Sequence, residues 1–251
     1  MKKIAAFFLS LMLLLTISYG QTLSKQNVVA YNNQEECKSG ILLQELMAND
    51  PSYAQKIANY NKLVQQGNPL NKGTVYNIPV VVHVIHLGEP EGTGTNISDA
   101  QIHSAINNLN QAFRNQAPYT GVDMEINFCL ASVDPSGNPT SGINRVNGSG
   151  TSDYATQGIT NDGGSSMNEI AVKALSNWGN TNYYQFWIVA GIDGNMGGGG
   201  TQGYAYFIQD ASKDGAVILY NSFGYDPTGT LCYNLKSYTN QNVTTTHEVG
   251  H

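Results

Sequence analysis

The N-terminal part of the chain has apolar residues at helical spacing. This pattern covers residues 35–66, and Pro51 divides it into two short helices. The segment 65–73 that follows is polar and contains glycine and proline, which is typical of a linker. The sequence therefore predicts a small helical region in front of a separate, larger domain.

Beyond the linker, apolar runs at strand-like spacing predict a sheet. The run at residues 75–87 is β-branched and almost continuously apolar, which is typical of a central strand buried on both faces. Four more runs have the composition of strands and are separated by turns rich in glycine and asparagine: 124–133, 184–190, 203–208 and 216–220. The sequence thus predicts five strands.

The strongest helical pattern lies between the first two strands, at residues 98–114. Ser98 is placed to cap this helix, and Gln101 to close a capping box. Four apolar residues form one stripe that must pack on the sheet: Ile102, Ile106, Leu109 and Phe113. A shorter helix is expected at 166–178 and another at the end of the chain. Strands and helices in this order predict a three-layer α/β domain.

The first twenty residues have the pattern of a secretory signal peptide. Lys2 and Lys3 precede an apolar run at residues 4–17, and the small residues Ser18 and Gly20 follow it. The run is shorter than the roughly 20 apolar residues that a membrane-spanning helix needs. We therefore expect a secreted, extracellular protein without a membrane span once residues 1–20 are removed.

The charge balance argues against nucleic acid as a partner. The chain has 12 basic and 18 acidic residues. Removing Lys2 and Lys3 with the signal peptide would leave 10 basic and 18 acidic residues, a net charge of −8. Such a surface repels the phosphate backbone of nucleic acids.

The last five residues spell HEVGH and carry the most specific chemical signal. His247 and His251 lie four positions apart, so a helix places both imidazoles on one face, where they can bind one metal ion. Two imidazoles on one helical turn favour zinc. Glu248 lies beside them, where its carboxylate can act as the general base. The pattern predicts peptide-bond hydrolysis with one catalytic zinc ion.

Two further features of the same segment concern its helix. Thr245 and Glu248 could form the capping box of an ordinary solvated helix start, with or without a metal ion nearby. Gly250 costs up to about 1 kcal/mol inside a helix. We therefore expect another part of the protein to pack close to Gly250.

Catalytic zinc usually has three protein ligands, and the other histidines do not supply the third. His83 and His86 are read as residues of one strand that face opposite sides, and His103 lies on the polar side of the long helix. We expect the third ligand beyond His251 and interpret the chain as an inactive fragment of a longer precursor. Two alternatives stay open: a non-catalytic extracellular binding or adhesion module on a degenerate protease scaffold, and a genuine short product that holds zinc weakly.

Three cysteines are an odd number for an extracellular protein. Cys129 falls on a predicted strand and Cys232 in the loop before the last helix, so the two could form a disulfide. Cys129 could equally be a free, buried thiol. Cys37 lies in the first helical region, and a cysteine beyond His251 could be its partner.

Five ordered blocks extend from the first strand to the last residue: 78–85, 109–114, 127–145, 203–207 with 214–220, and 245–251. In these blocks the sequence resembles the pappalysin family of metzincin zinc metalloproteases. The resemblance implies the upper subdomain of a metzincin, with a twisted five-stranded mixed sheet, a backing helix and an active-site helix, and with the lower subdomain missing. It also implies a propeptide and linker at 21–73 and the N-terminal part of a catalytic domain at 74–251.

The resemblance implies further roles. Cys37 lies where several family members place a cysteine that caps the zinc in the zymogen, which would account for the odd cysteine. The family binds extended peptide substrates along an outer strand by strand addition, which here consists of Gly203, Tyr204, Ala205 and Tyr206. A third histidine and a methionine-containing turn would follow His251. Peptides or proteins would be the substrates, and calcium could be a further ligand, although no residue pattern assigns a site for it.

Overall fold

A mostly parallel sheet of six strands organises the fold in the computed structural model. The structure describes residues 37–66, 73–151, 153–160, 169–207 and 213–251. The predicted signal peptide at 1–20 and most of the predicted linker lie outside these ranges. Within the described ranges, no helix combines the length and the apolar character needed to cross a membrane.

The first strand is the centre of the sheet. The strands are β1 (Tyr76–His86), β2 (Ile126–Leu130), β3 (Ile143–Asn147), β4 (Tyr184–Val189), β5 (Gly203–Ala205) and β6 (Ala216–Leu219). Their order across the sheet is β2-β1-β4-β6-β5, with β3 also paired to β1, and β5 runs antiparallel to β6 at one edge. Neighbours on both sides bury β1 from Val80 to Ile85. The prediction of a central strand buried on both faces is confirmed.

The strand β3 is an addition to the five predicted strands. It pairs with the second half of β1, while β2 pairs with the first half, so the two short strands share one position in the sheet. Gly142 lies at the junction between them with a φ of +73°. A Cβ there would lie 2.6 Å from the backbone nitrogen of Ala131, so only glycine fits this close approach.

Helices cover both faces of the sheet and confirm the predicted α/β layers. They are α1 (Lys38–Asn49), α2 (Pro51–Gln66), α3 (Asp99–Phe113), α4 (Tyr154–Gln157), α5 (Glu169–Ala174) and α6 (Val243–Gly250). On one face, Ile102 and Leu109 of α3 pack in the same apolar cluster as Val249 of α6. On the other face, Leu42 of α1 packs in a cluster with Tyr154 of α4. The first two helices correspond to the two predicted before the linker.

Two helical predictions need correction. Ser98 caps α3 as predicted, because its hydroxyl accepts a hydrogen bond from the backbone of Gln101 at 3.2 Å. The side chain of Gln101 does not close a capping box, since it donates instead to the carbonyl oxygens of Tyr220 and Phe223. The helix predicted at 166–178 is α5 and ends at Ala174, with residues 161–168 outside the described ranges.

His83 is a buried core residue of β1. Its Nε2 lies 3.0 Å from Oε1 of Gln185 and its Nδ1 lies 2.5 Å from the hydroxyl of Ser176. Because an amide oxygen can only accept, Nε2 carries the proton and Nδ1 accepts from the hydroxyl. Burial lowers the pKa of His83 to about 4. His86 lies at the end of the same strand and His103 is exposed on α3.

Candidate metal centre

The start of α6 is fixed by a buried asparagine. Asn242 precedes the helix in a left-handed conformation with a φ of 57°. Its side chain donates to the carbonyl oxygen of Ala105 on α3 at 2.9 Å and accepts from the backbone nitrogen of Gly224 at 3.2 Å. Thr245 is buried inside the helix and is not a cap, so the alternative of a capping box with Glu248 is wrong. Contacts to α3 therefore set the position of α6.

Three donor atoms converge at the end of α6. The Nε2 atoms of His247 and His251 are 3.1 Å apart, as expected for residues one helical turn apart. The Sγ atom of Cys37 lies 3.2 Å from Nε2 of His247 and 3.3 Å from Nε2 of His251. All three donor atoms lie within 4.8 Å of one another. The structure thus brings together the cysteine and both histidines singled out in the sequence.

The three donors fit one zinc ion. Bonds of about 2.0–2.1 Å to nitrogen and about 2.3 Å to sulfur, at tetrahedral angles, would separate two nitrogens by about 3.3 Å and a nitrogen from a sulfur by about 3.6 Å. The distances between the donors of Cys37, His247 and His251 are within a few tenths of these values. One thiolate and two imidazoles are also a donor set that zinc prefers.

The carboxylate of Glu248 is buried beside β5. Its exposed fraction is 5%, and its Oε2 accepts a hydrogen bond from the hydroxyl of Ser39 at 3.1 Å. The same hydroxyl accepts from the backbone nitrogen of Ala205 at 3.0 Å. Burial raises the pKa of Glu248 to about 7, and the hydrogen bond from Ser39 opposes this shift. One hydroxyl of α1 therefore binds both the carboxylate and the outer strand.

The hairpin of α1 and α2 lies along β5. Besides the contact of Ser39, the buried hydroxyl of Tyr53 on α2 donates to the carbonyl oxygen of Phe207. Lys38 forms an ion pair with Asp193, and its ammonium lies 5.7 Å from the ring centroid of Tyr204. The ring of Phe207 lies 5.1 Å from that of His251. The hairpin thus covers the outer strand and the end of α6 together.

The predicted substrate strand is an edge strand, but it is short. Gly203, Tyr204 and Ala205 pair with β6, and Tyr206 follows outside the ladder. All four residues are buried. A Cβ at Gly203 would lie 2.9 Å from Cγ2 of Thr244 and 3.2 Å from Cγ of Glu248, so this glycine allows α6 to approach β5 closely.

The expectation of close packing at Gly250 is wrong for the part of the chain that the structure describes. There, apart from the chain neighbours and the backbone of its own helix, no atom lies within 4 Å of a Cβ built at Gly250. The close approach that a small residue permits is instead at Gly203 on the neighbouring strand.

The structure does not pair Cys129 with Cys232, since both thiols are free and exposed. Their elements contact opposite ends of α3. Asn110, near the end of the helix, bonds to the backbone of Phe128 on β2. Gln101, near its start, accepts from the backbone nitrogen of Asn234. Nine helical residues, or about 13 Å, separate these anchor points. The alternative of a buried Cys129 is also wrong.

Three residues of the site were not identified in the sequence: Ser39, Tyr53 and Asn242. Ser39 lies two positions after Cys37, so its closeness in sequence to a candidate zinc ligand could have indicated that it belongs to the site. The roles of Tyr53 and Asn242 depend on contacts with distant residues, Phe207 and Ala105. No local sequence pattern predicts such contacts.

Comparison with known proteins gives relatives of known structure. No protein-family model and no curated protein matches the chain. It is similar to mirolysin in complex with a compound, at 31% identity and a TM-score of 0.53. It is also similar to mature mirolysin of Tannerella forsythia in complex with a cleaved peptide, at 32% identity and a TM-score of 0.53. Each match covers 71% of this chain and 63% of the mirolysin chain.

A pro-form covers more of the chain. A promirolysin mutant of Tannerella forsythia matches at 26% identity and a TM-score of 0.59, over 86% of this chain and 67% of that chain. Mirolysin and promirolysin are metalloproteases of the metzincin class, so the scaffold described above is a metalloprotease scaffold. The chain spans less than two thirds of the length of the two mirolysin chains.

Proposed function

We propose that the chain is the N-terminal part of a secreted zinc metalloendopeptidase precursor of the pappalysin type, in its latent form. The observation that carries the proposal is the convergence of Cys37, His247 and His251 on one point, with Glu248 on the same helix. The similarity to mirolysin supports peptides as substrates, since one mirolysin structure holds a cleaved peptide.

Each residue of the site has a chemical role in this proposal. His247 and His251 would hold the zinc ion, which when bound would polarise the peptide carbonyl and activate water for attack. Glu248 accepts the proton of the attacking water and passes it to the leaving amine. Its burial beside β5 suits this role, because a carboxylate in a poorly solvated site accepts protons more readily.

Hydrolysis requires a third protein ligand besides the two histidines. The family resemblance places that ligand after His251, so we assign hydrolysis to a precursor that carries it. In the latent form Cys37 would be a further ligand of the zinc ion and would keep a catalytic water away from it. The larger share of the chain matched by promirolysin than by mature mirolysin, 86% against 71%, supports the assignment of the N-terminal helices to a propeptide.

The contacts of the α1–α2 hairpin with β5 support the same conclusion. An extended substrate would bind the free N–H and C=O groups of an edge strand. Ser39 engages the N–H of Ala205 and Tyr53 the C=O of Phe207. Because the chain becomes helical directly after Cys37, its own peptide bonds are not presented to Glu248 in an extended form. The propeptide would thus block the site without being a substrate.

Zinc content and hydrolysis together test this function. Residues 21–251 should bind one zinc ion per chain, measured by elemental analysis after dialysis. In the full-length precursor after activation, Glu248→Gln should keep the zinc and reduce peptide hydrolysis by about 10²- to 10⁴-fold. Glu91→Gln, which changes an exposed carboxylate, is the control and should have no effect. Absence of zinc would overturn the proposal, and zinc without hydrolysis in the activated precursor would favour a non-catalytic binding module.

A further inference from the structure

Two oppositely charged side chains are buried on the far face of the sheet from α6. Lys173 has no exposed surface and Glu169 is 3% exposed, and the Nζ and Oε1 atoms of the pair are 2.6 Å apart. Both belong to α5. Removing two charges from water costs several kcal/mol per ion. A fold with well-packed apolar residues in place of such a pair is often as stable as the fold with the pair. The burial of this ion pair therefore needs an explanation, which its contacts provide.

Two of the partners of this pair lie just outside the ends of β5 and β6. The hydroxyl of Tyr206 donates to Oε2 of Glu169 at 2.5 Å. The ammonium of Lys173 donates to the carbonyl oxygen of Lys213 at 2.6 Å. It also lies 4.6 Å from the ring centroid of Trp187 and 5.2 Å from that of Tyr206, within range of cation–π attraction. Each charge thus has a directional partner.

The two anchored residues flank β5 and β6. Tyr206 directly follows β5, and Lys213 precedes β6. Among the residues that the structure describes, the ladder between these strands ends at Ala205 and does not extend to Tyr206 and Phe207. The hydroxyl of Tyr206 is anchored to Glu169 instead. On either side of Tyr206 lie the N–H of Ala205 and the C=O of Phe207, the groups that the propeptide hairpin engages.

We propose that Glu169 and Lys173 are positioning residues for the substrate: through Tyr206 and the carbonyl of Lys213, they hold the outer strand in register for an extended peptide. This inference rests on the proposed protease function. Side chains alternate along a strand, so with Tyr206 held toward the ion pair, the substrate-facing groups of its two neighbours are held as well. Apolar residues would fill the same space but would not fix the direction of the tyrosine hydroxyl.

The experiment compares three variants of the full-length precursor after activation. Tyr206→Phe removes only the hydroxyl, and the double variant Glu169→Leu/Lys173→Met replaces the pair by apolar residues. Tyr154→Phe is the matched control, because its buried hydroxyl bonds to Ile85 and Ala190 on the same face, and neither of these residues belongs to β5. Losing one hydrogen bond to a charged group should raise KM for a peptide that spans the strand about tenfold, with kcat within about twofold.

A merely structural role gives a different result. If the ion pair only stabilised the fold, the double variant would keep its KM wherever its melting temperature was kept, and Tyr206→Phe would behave like Tyr154→Phe. Either outcome would overturn the inference. An activated wild-type enzyme that bound zinc but cut no peptide would instead overturn the proposed function.

Hydrogen exchange provides a readout that needs no hydrolysis. In the intact precursor, Tyr206→Phe should speed amide exchange in the segment 204–207 about tenfold, because one anchor of this segment is lost. Tyr154→Phe should leave exchange in this segment unchanged. Unchanged exchange in Tyr206→Phe would overturn the inference independently of any activity.

Discussion

Ser39 donates its hydroxyl hydrogen to the carboxylate of Glu248 across 3.1 Å, although the two residues are 209 positions apart in the sequence. The same hydroxyl accepts from the N–H of Ala205. A hydroxyl offers one donor, and here that donor and one acceptor position are both used inside the site. Together with the thiol of Cys37, α1 therefore contacts the two histidines of the proposed metal site, the proposed base and the outer strand.

Removing this hydroxyl should loosen the contacts of α1 with β5 and α6. In residues 21–251, Ser39→Ala leaves both Glu248 and the N–H of Ala205 without this partner, which should cost about 1 to 3 kcal/mol in the free energy of unfolding. Urea denaturation measures the loss, and hydrogen exchange should show faster exchange at Ala205. Ser52→Ala, an exposed serine at the start of α2, is the control. Equal exchange at Ala205 in both variants would contradict the role of Ser39.

Replacing Cys37 should change the metal site and not the fold. In residues 21–251 loaded with cobalt in place of zinc, the thiolate should give a charge-transfer absorption band in the near ultraviolet. Cys37→Ser should abolish this band and weaken metal binding at least about tenfold, because one of three donors is lost. Cys129→Ser is the matched control and should keep both. A band that persisted in Cys37→Ser would assign it to another cysteine.

The asparagine before α6 should be essential for the position of the histidines. Asn242→Ala removes a donor and an acceptor from a buried site and places alanine in a left-handed conformation, so it should cost about 3 kcal/mol in stability. Zinc affinity should fall with it. Asn242→Asp keeps the acceptor for Gly224 but not the donor for Ala105, and should lie between wild type and alanine. Full zinc affinity in a folded Asn242→Ala variant would refute this role.

His83 should make the fold sensitive to acid. Its pKa is lowered in the folded state to about 4 from the usual 6.5, so the unfolded chain binds more protons between these values. The stabilising contribution of neutral His83 is fully present above about pH 6.5 and is lost as the pH falls toward 4, by about 3 kcal/mol. Urea denaturation at several pH values measures this. His83→Gln should flatten the dependence, and His103→Gln, an exposed control, should not.

The parts predicted correctly from sequence depend on local spacing. The stripe of α3 and the HEVGH segment each lie within a few helical turns, so their geometry follows from residue order. The strand β1 was equally clear, because burial on both faces requires a continuous apolar run. The similarity to mirolysin supports the same metalloprotease scaffold that the sequence blocks implied.

The parts missed depend on distant partners. In β3, Asn144 donates to Ser176, and Arg145 bonds to Asn96 and Asp99, so polar residues occupy positions where a strand pattern needs apolar ones. Gln101 is a residue type that closes capping boxes, but its side chain donates to the distant carbonyl oxygen of Tyr220. In each case a polar side chain is satisfied by a residue far away in sequence, which spacing alone does not reveal.

The contact between Cys37 and His247 also has a consequence for how the α1–α2 hairpin would leave the site. While the chain is intact, the α1–α2 hairpin is attached to the domain it covers, and attachment of this kind gives an effective local concentration of about millimolar order. A cut between α2 and β1 would break none of the contacts at the site. It would turn an intramolecular equilibrium into a bimolecular one, in which the hairpin rebinds only as fast as its dilute concentration allows. After the cut, dilution of the protein would be enough to shift this equilibrium toward the free hairpin and an uncovered site.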